Sequence, residues 1–214
     1  MTASPPPATG PPSGRPPTRV VAVLLGAPGP DQSDALRLAM LEDVCETVSA
    51  LELVEPAVAV AADDPLAADV PGVTWPGTPV HRVPAGSSPL AARAVAALAA
   101  TLPDGQLTIV AADAPDLPGL LVGKLHRALG SADAAVLPAA GGGLVALATR
   151  VPVPDWLVAD LDDEDALVAL RAAAPRRTSV SVGPGWHRVR RAADLDHLDP
   201  GLEGWDVTRA LLQR

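Results

Sequence analysis

The sequence predicts an α/β fold, a single-domain three-layer sandwich around a mostly parallel sheet, and three observations carry that expectation. Short apolar runs bounded by Gly and Pro alternate with segments whose apolar residues recur every three or four positions, as strands joined by crossover helices do. Hydrophobic residues make up 48% of the chain, yet Phe and Tyr are absent and four Trp are the only aromatics. A Val, Leu and Ala interior suits thin layers packed on both faces of a buried parallel sheet. The 214 residues support one sizeable core, with no repeat and no linker to divide it.

Taken in order, residues 1–17 are rich in Pro, Gly, Ser and Thr. They read as a disordered tail without the basic start and apolar run of a signal peptide. The α/β domain is expected over 18–214. Residues 20–25 are all apolar and end at Gly26, as a buried parallel strand would. Leu38, Leu41, Val44, Cys45, Val48 and Leu51 then mark an amphipathic helix. A strand follows at 57–62. Residues 63–84, broken by Pro and Gly, hold a short helix and short strands near Val73 and Val80. Ser88 caps a helix with Pro89 at its first position, running to about Thr101. Strand 107–112, loop 113–118 and helix 119–129 come next, then strands 134–138 and 144–148 on either side of three glycines. A helix is expected over 162–174, strands over 178–182 and 187–190, and a C-terminal helix from about Leu202.

Composition excludes several partners. A net charge of -9 repels phosphate backbones, and the scarcity of aromatics leaves no base-stacking platform, so no nucleic acid is expected. No run reaches the ~18 apolar residues of a membrane span. One cysteine, Cys45, allows no internal disulfide, fits a cytoplasmic location and sits on an apolar helix stripe as a core residue.

The most informative segment runs from Leu107 to Pro118. An apolar strand ending in Asp113 places a carboxylate at the carboxyl edge of the sheet, where open α/β sheets bind ligands. A carboxylate there can hold Mg²⁺ together with phosphate oxygens and water. Asp116 can join it or can cap the next helix.

A strand leading into Asp113-Ala114-Pro115-Asp116-Leu117 resembles a bacterial family of glycosyltransferase-A-fold (nucleotide-diphospho-sugar transferase-like) proteins of largely unassigned function. That family is related to the molybdenum-cofactor and 2-phospho-L-lactate guanylyltransferases. The resemblance extends over most of residues 19–200. Its further landmarks are the first strand with its glycine loop, the helix bearing Ala39-Met40-Leu41-Glu42-Asp43, and Gly86 with Arg93. Pro138 with Gly142-Gly143 stands where the family has Asp-Gly-Gly-Tyr, and Asp194-Leu195-Asp196-His197 is similar to its Asp-Val-Asp-Thr. The resemblance implies a Rossmann-like transferase that uses a nucleotide sugar or nucleoside triphosphate, a divalent Mg²⁺ or Mn²⁺, and a small-molecule acceptor. It implies Asp113 as first metal ligand with Asp116 and Asp196 as further candidates. Gly26, Ala27 and Arg93 would lie at the nucleotide, and Gly142 and Gly143 at the acceptor. A catalytically silent binding or scaffold module, or a guanylyltransferase for a small phospho-acid, are the alternatives.

The departures from the family bear on activity. The family's first loop carries Lys and Arg, whereas Pro28-Gly29-Pro30-Asp31-Gln32-Ser33 has no positive charge. Gly141 and Leu144 stand where the family has an acid and an aromatic. Phosphate chemistry needs positive charge on the leaving oxygens, so weak turnover is expected unless Arg188, Arg190 and Arg191 fold over the site. Those arginines with His187 otherwise read as a solvated strand face or an acceptor-phosphate site. The acids of 160–165 read as a helix start favoured by the dipole.

Overall fold

The computed structural model describes residues 18–213; the tail expected over 1–17 lies outside the described residues. Strands β1 (Arg19–Leu25), β2 (Glu55–Ala61), β3 (Val80–Val83), β4 (Gly105–Ala111), β5 (Ala134–Pro138), β6 (Leu144–Val151) and β7 (Val180–Val182) form one sheet. Their order is β3-β2-β1-β4-β6-β5-β7. All neighbours are parallel except β6, which runs antiparallel to β4 and β5. The reversal has a local cause. The few residues between β5 and β6 cannot hold a crossover helix, so the chain turns back as a hairpin. Gly141, Gly142 and Gly143 make that turn with φ of 88°, 105° and 80°, values that side chains resist.

Helices α1 (Asp34–Ser49), α2 (Leu90–Ala99), α3 (Gly119–Ala128), α4 (Ala166–Ala173) and α5 (Asp206–Leu212) complete the body. Successive strand residues face opposite sides, and β1 shows what this does. Val21, Val23 and Leu25 pack with Leu41, Val44 and Val48 of α1 and with Leu121 and Leu125 of α3. Val20, Ala22 and Leu24 pack with Ala94, Val95 and Leu98 of α2 and with Leu170 of α4. Each such buried Val or Leu contributes about 1.5–3 kcal/mol, so two cores clamp the sheet from both faces. Cys45 lies in the first core, where burial and then Glu42 push its thiol up to about 12. Among the described residues no helix is long and apolar enough to cross a membrane.

Several expected boundaries move for physical reasons. The helix expected from 162 starts at Ala166, because the Asp160 and Asp163 carboxylates accept the N–H of Asp162 and Asp165, each at 2.9 Å, and fold the acids into side-chain-closed turns. Two short 3-10 turns, Pro65–Ala68 and Val70–Gly72, replace the strand expected near Val73. Pro89, not Ser88, is the residue preceding α2, and no side chain caps that helix. α5 starts at Asp206 because buried Asp43 of α1 accepts from Val207 N and Thr208 N at 3.0 and 2.8 Å. Residues 187–190 are not a sheet strand; after a single bridge, Ala139 to Trp186, the chain crosses the end of the sheet.

Buried His126 on α3 sets a pH limit. Its Nδ1 lies 3.2 Å from Gln106 Oε1, which accepts only, so Nδ1 carries the proton; Nε2 has no partner. Burial, then the charge of Arg19, lowers its pKa to about 4. The unfolded chain takes up this proton near pH 6.5, the folded chain only near 4, so the contribution is intact above about 6.5 and is lost as pH falls to about 4, by about 3 kcal/mol. Urea unfolding of wild type and His126→Gln across this range should show the extra loss in wild type alone. Parallel pH profiles would contradict it.

Candidate active site at the carboxyl edge

The chain leaves β1 for β2 and β3 on one side, then returns to place β4 on the other. The crevice of such a sheet opens where that direction changes, outside the carboxyl ends of β1 and β4. Here those ends carry Gly26 and Asp113. A C-terminal strap, residues 186–199, passes directly over them.

Arg188 is the centre of this arrangement. It is buried, and its five N–H donors are all used. Nε donates to Asp113 Oδ1 at 2.6 Å, and Nη2 donates to Asp113 Oδ2 and Asp162 Oδ1, each at 2.9 Å. Nη1 donates to the carbonyls of Leu144 and Leu161 at 3.1 and 2.8 Å. Burial works against the guanidinium charge, but Asp113 and then Asp162 outweigh it and raise the pKa. Arg190 also pairs with Asp162, and its Nε stands 3.5 Å from Asp113 Oδ2.

The backbone follows these pairs. Val189 N donates to Asp113 O at 2.7 Å, and Val189 O accepts from Gln32 Nε2. The first loop lies against the strap so closely that a Cβ on Gly29 would stand 1.9 Å from Arg190 O. Only glycine fits there. Val189 itself packs with Leu36, Met40, Leu198 and Trp205 in a third apolar cluster.

The other expected site residues have separate places. Asp116 is buried and accepts from Trp186 Nε1, His187 Nε2 and Asp199 N at 3.0, 2.9 and 3.1 Å. It anchors both ends of the strap and does not cap α3, which has no side-chain cap. Asp196 is exposed on a 3-10 turn, Ala192–His197. Gly26 O accepts from Arg37 Nη2 at 2.8 Å, and the same nitrogen meets Asp64 at 2.6 Å; Ala27 is exposed at the rim. Arg93 donates to the carbonyls of Ser88 and Pro84, steadying the loop before α2 rather than the loop after β1. Gly142 lines the cleft, and Gly143 lets Leu161 O approach.

That cleft encloses about 300 Å³ between the glycine turn and the strap, with Arg188, Arg190 and Arg191 facing Asp162, Glu164 and Asp194. A larger groove of about 810 Å³ beside Trp75 lies at the amino end of β2, away from these residues. The charged residues of the strap and the acidic turn line the smaller one. Among the described residues no three His, Cys, Asp or Glu side chains group as a metal site. A divalent ion needs carboxylate oxygens open to it, and those of Asp113 are filled by a guanidinium. As arranged, the acids do not fit such an ion.

No protein-family model matches the sequence, and no curated protein matches it. Solved structures share the fold. A candidate nucleotide-diphospho-sugar transferase from Desulfovibrio desulfuricans G20 is 18% identical over 92% of this chain and 96% of its own, with a TM-score of 0.66. A 4-diphosphocytidyl-2C-methyl-D-erythritol synthase from Anaerococcus prevotii DSM 20548 is 14% identical over 92% and 97%, with a TM-score of 0.55. A Mycobacterium tuberculosis H37Rv protein, Rv0371c, solved in complex with manganese, is 17% identical over 94% and 100%, with a TM-score of 0.55. The fold is therefore the α/β fold of nucleotide-diphospho-sugar transferases and nucleotidyltransferases, in a divergent version, as the sequence resemblance implied.

Asp116 and Asp196 should separate cleanly in stability. Asp116→Ala strands three donors, each costing about 1–3 kcal/mol when left unpaired, so a net loss of about 2–4 kcal/mol is expected. Asp196→Asn should stay within about 0.5 kcal/mol, as exposed substitutions do. Urea unfolding of both variants checks this; equal losses would contradict the anchoring role of Asp116.

Proposed function

We propose that the protein binds a nucleotide or nucleotide sugar at the carboxyl edge of β1 and β4, and that it acts as a binding module with at most slow transfer. The observation that carries this reading is the pair Arg190 and Arg191 opening onto a cleft floored by Gly141 and Gly142 at the switch point of the sheet. Arginines there offer forked donors to phosphate oxygens. Glycines without side chains let a ring or an acceptor come close to the backbone. At about 300 Å³ the cleft is at the small end of ligand sites, with room for phosphate and one ring. The remainder of a ligand would lie along the exposed Ala27–Pro28 loop. The printed names of the structural neighbours, a nucleotide-diphospho-sugar transferase and a diphosphocytidyl synthase, support the ligand class.

Slow transfer follows from the donors. Arg188 has none left for a leaving phosphate, and Asp162, Glu164 and Asp194 offset Arg190 and Arg191 in the same cleft. Preorganised positive charge is commonly the largest catalytic term, and losing one partner costs about a hundredfold or more. A metal-dependent transferase is the second reading, favoured by the neighbour solved with manganese; it would require Arg188 to leave Asp113 and Asp162.

Calorimetric titration with nucleoside diphosphates, triphosphates and nucleotide sugars tests the proposal. Saturable binding by at least one is expected, weakened about tenfold or more when Arg190 and Arg191 are both changed to Ala, the loss of about one charge-assisted contact. A product assay should stay far below the ordinary enzymatic rate of ~10 per second. Failure of every nucleotide to bind would overturn the proposal, and ordinary turnover would overturn its silent half.

A further inference from the structure

We infer that the Arg188 guanidinium is a built-in cation standing where Asp113 and Asp162 would otherwise gather a divalent ion, so that this cleft needs no metal. The inference deepens the nucleotide-binding reading and rests on it only for its ligand.

Its starting point is the list of partners that Arg188 keeps. They are Asp113 Oδ1 and Oδ2, Asp162 Oδ1, Leu144 O and Leu161 O. Every one is an oxygen, two groups are carboxylates, and they come from three separate parts of the fold. Hard divalent cations take such a set, carboxylates with backbone carbonyls and water. A guanidinium satisfies the same set with five N–H groups in one plane. The acids also need a cation. Asp113 and Asp162 meet at a single guanidinium nitrogen; the Asp113 and Arg188 side chains are 14% and 7% exposed, so water screens that pair poorly, whereas Asp162, 43% exposed, is partly screened. Arg188 supplies one charge and Arg190, paired to Asp162, a second. Two carboxylates meet two guanidiniums. A divalent ion entering this set would have to displace a side chain whose donors are all satisfied.

The cation is also built into the fold. Arg188 is followed by Val189, buried among Leu36, Met40, Leu198 and Trp205, and is preceded by His187, held on Asp116. Both neighbours fix the strap, so Arg188 arrives at Asp113 without a long side chain having to search for it. A bound ion would have to be captured from solution; this one comes with the chain.

Metal binding to the full chain, measured without nucleotide, tests the inference. Titration of wild type with Mn²⁺, followed by the electron paramagnetic resonance of free Mn²⁺, should show no saturable site at millimolar metal. The melting temperature should be the same in EDTA, Mg²⁺ and Mn²⁺. Arg188→Ala should melt lower in EDTA and gain one Mn²⁺ site, at least tenfold tighter than any in wild type. That site should vanish in Arg188→Ala with Asp113→Asn. Arg188→Lys keeps a cation and should gain none. A wild-type Mn²⁺ site lost in Asp113→Asn would overturn the inference, as would a folded Arg188→Ala that takes up no metal. If Arg188→Ala does not fold, Arg188→Gln takes its place and the wild-type titration still decides. Nucleotide titrations in EDTA and in Mn²⁺ should agree within twofold for wild type. Absence of any nucleotide binding would fail the ligand reading and leave the metal result standing.

Discussion

A buried arginine that must satisfy five donors dictates the architecture around the carboxyl edge of this sheet. Arg188 joins the end of β4 through Asp113, the start of β6 through Leu144 O, and the acidic turn through Leu161 O and Asp162. These pieces are remote in sequence, and removing one partner of a buried pair typically costs about 3–5 kcal/mol. The neighbouring geometry conforms to it. Gly143 lets Leu161 O close in, Gly29 lets the strap lie on the first loop, and Asp116 fixes the strap at Trp186, His187 and Asp199.

The sandwich was legible because its signals are local and periodic. The apolar runs of β1, β4 and β5 and the three-and-four spacing of α1 depend only on which face each residue presents. Asp113 at the end of β4 was legible for the same reason. The strap was not. His187-Arg188-Val189-Arg190 sets one apolar residue among polar ones, as a short exposed strand also can, but here Val189 is seated in a small cluster while Arg188 turns under to Asp113. Ion pairs between residues 75 and 26 positions apart leave no trace in a local window. The one usable signal was a mismatch. The acids of 160–165 lacked local partners, and the arginines of 188–191 lacked them too.

The same reasoning explains Asp116. Its position just ahead of Pro118 and α3 suits a cap, and a cap is the cheaper use of such a residue in a window read alone. Pro118 occupies the cap position instead, and the Asp116 carboxylate turns to three donors from the strap, all more than 60 residues away. A polar side chain so fully buried is read correctly only when the donors that surround it are known.

The missing positive charge of the first loop and the arginines of the strap are two sides of one arrangement. The loop from Gly26 to Ser33 is neutral or acidic where it touches the strap: Asp31 accepts from Ala192 N at 3.4 Å, and Gln32 bridges Gly29 N and Val189 O. A lysine or arginine in that loop would meet Arg190 across a contact already closed to anything larger than glycine at position 29. The cations therefore arrive from the far end of the chain, the alternative that the sequence left open for Arg188, Arg190 and Arg191. Their number is not what decides chemistry, however. A phosphate is stabilised by donors that are free to turn to it, and Arg188 has spent all of its donors on the fold. What remains open is the side of Arg190 and Arg191 that faces the cleft, and the proposed anion recognition with slow transfer rests on it.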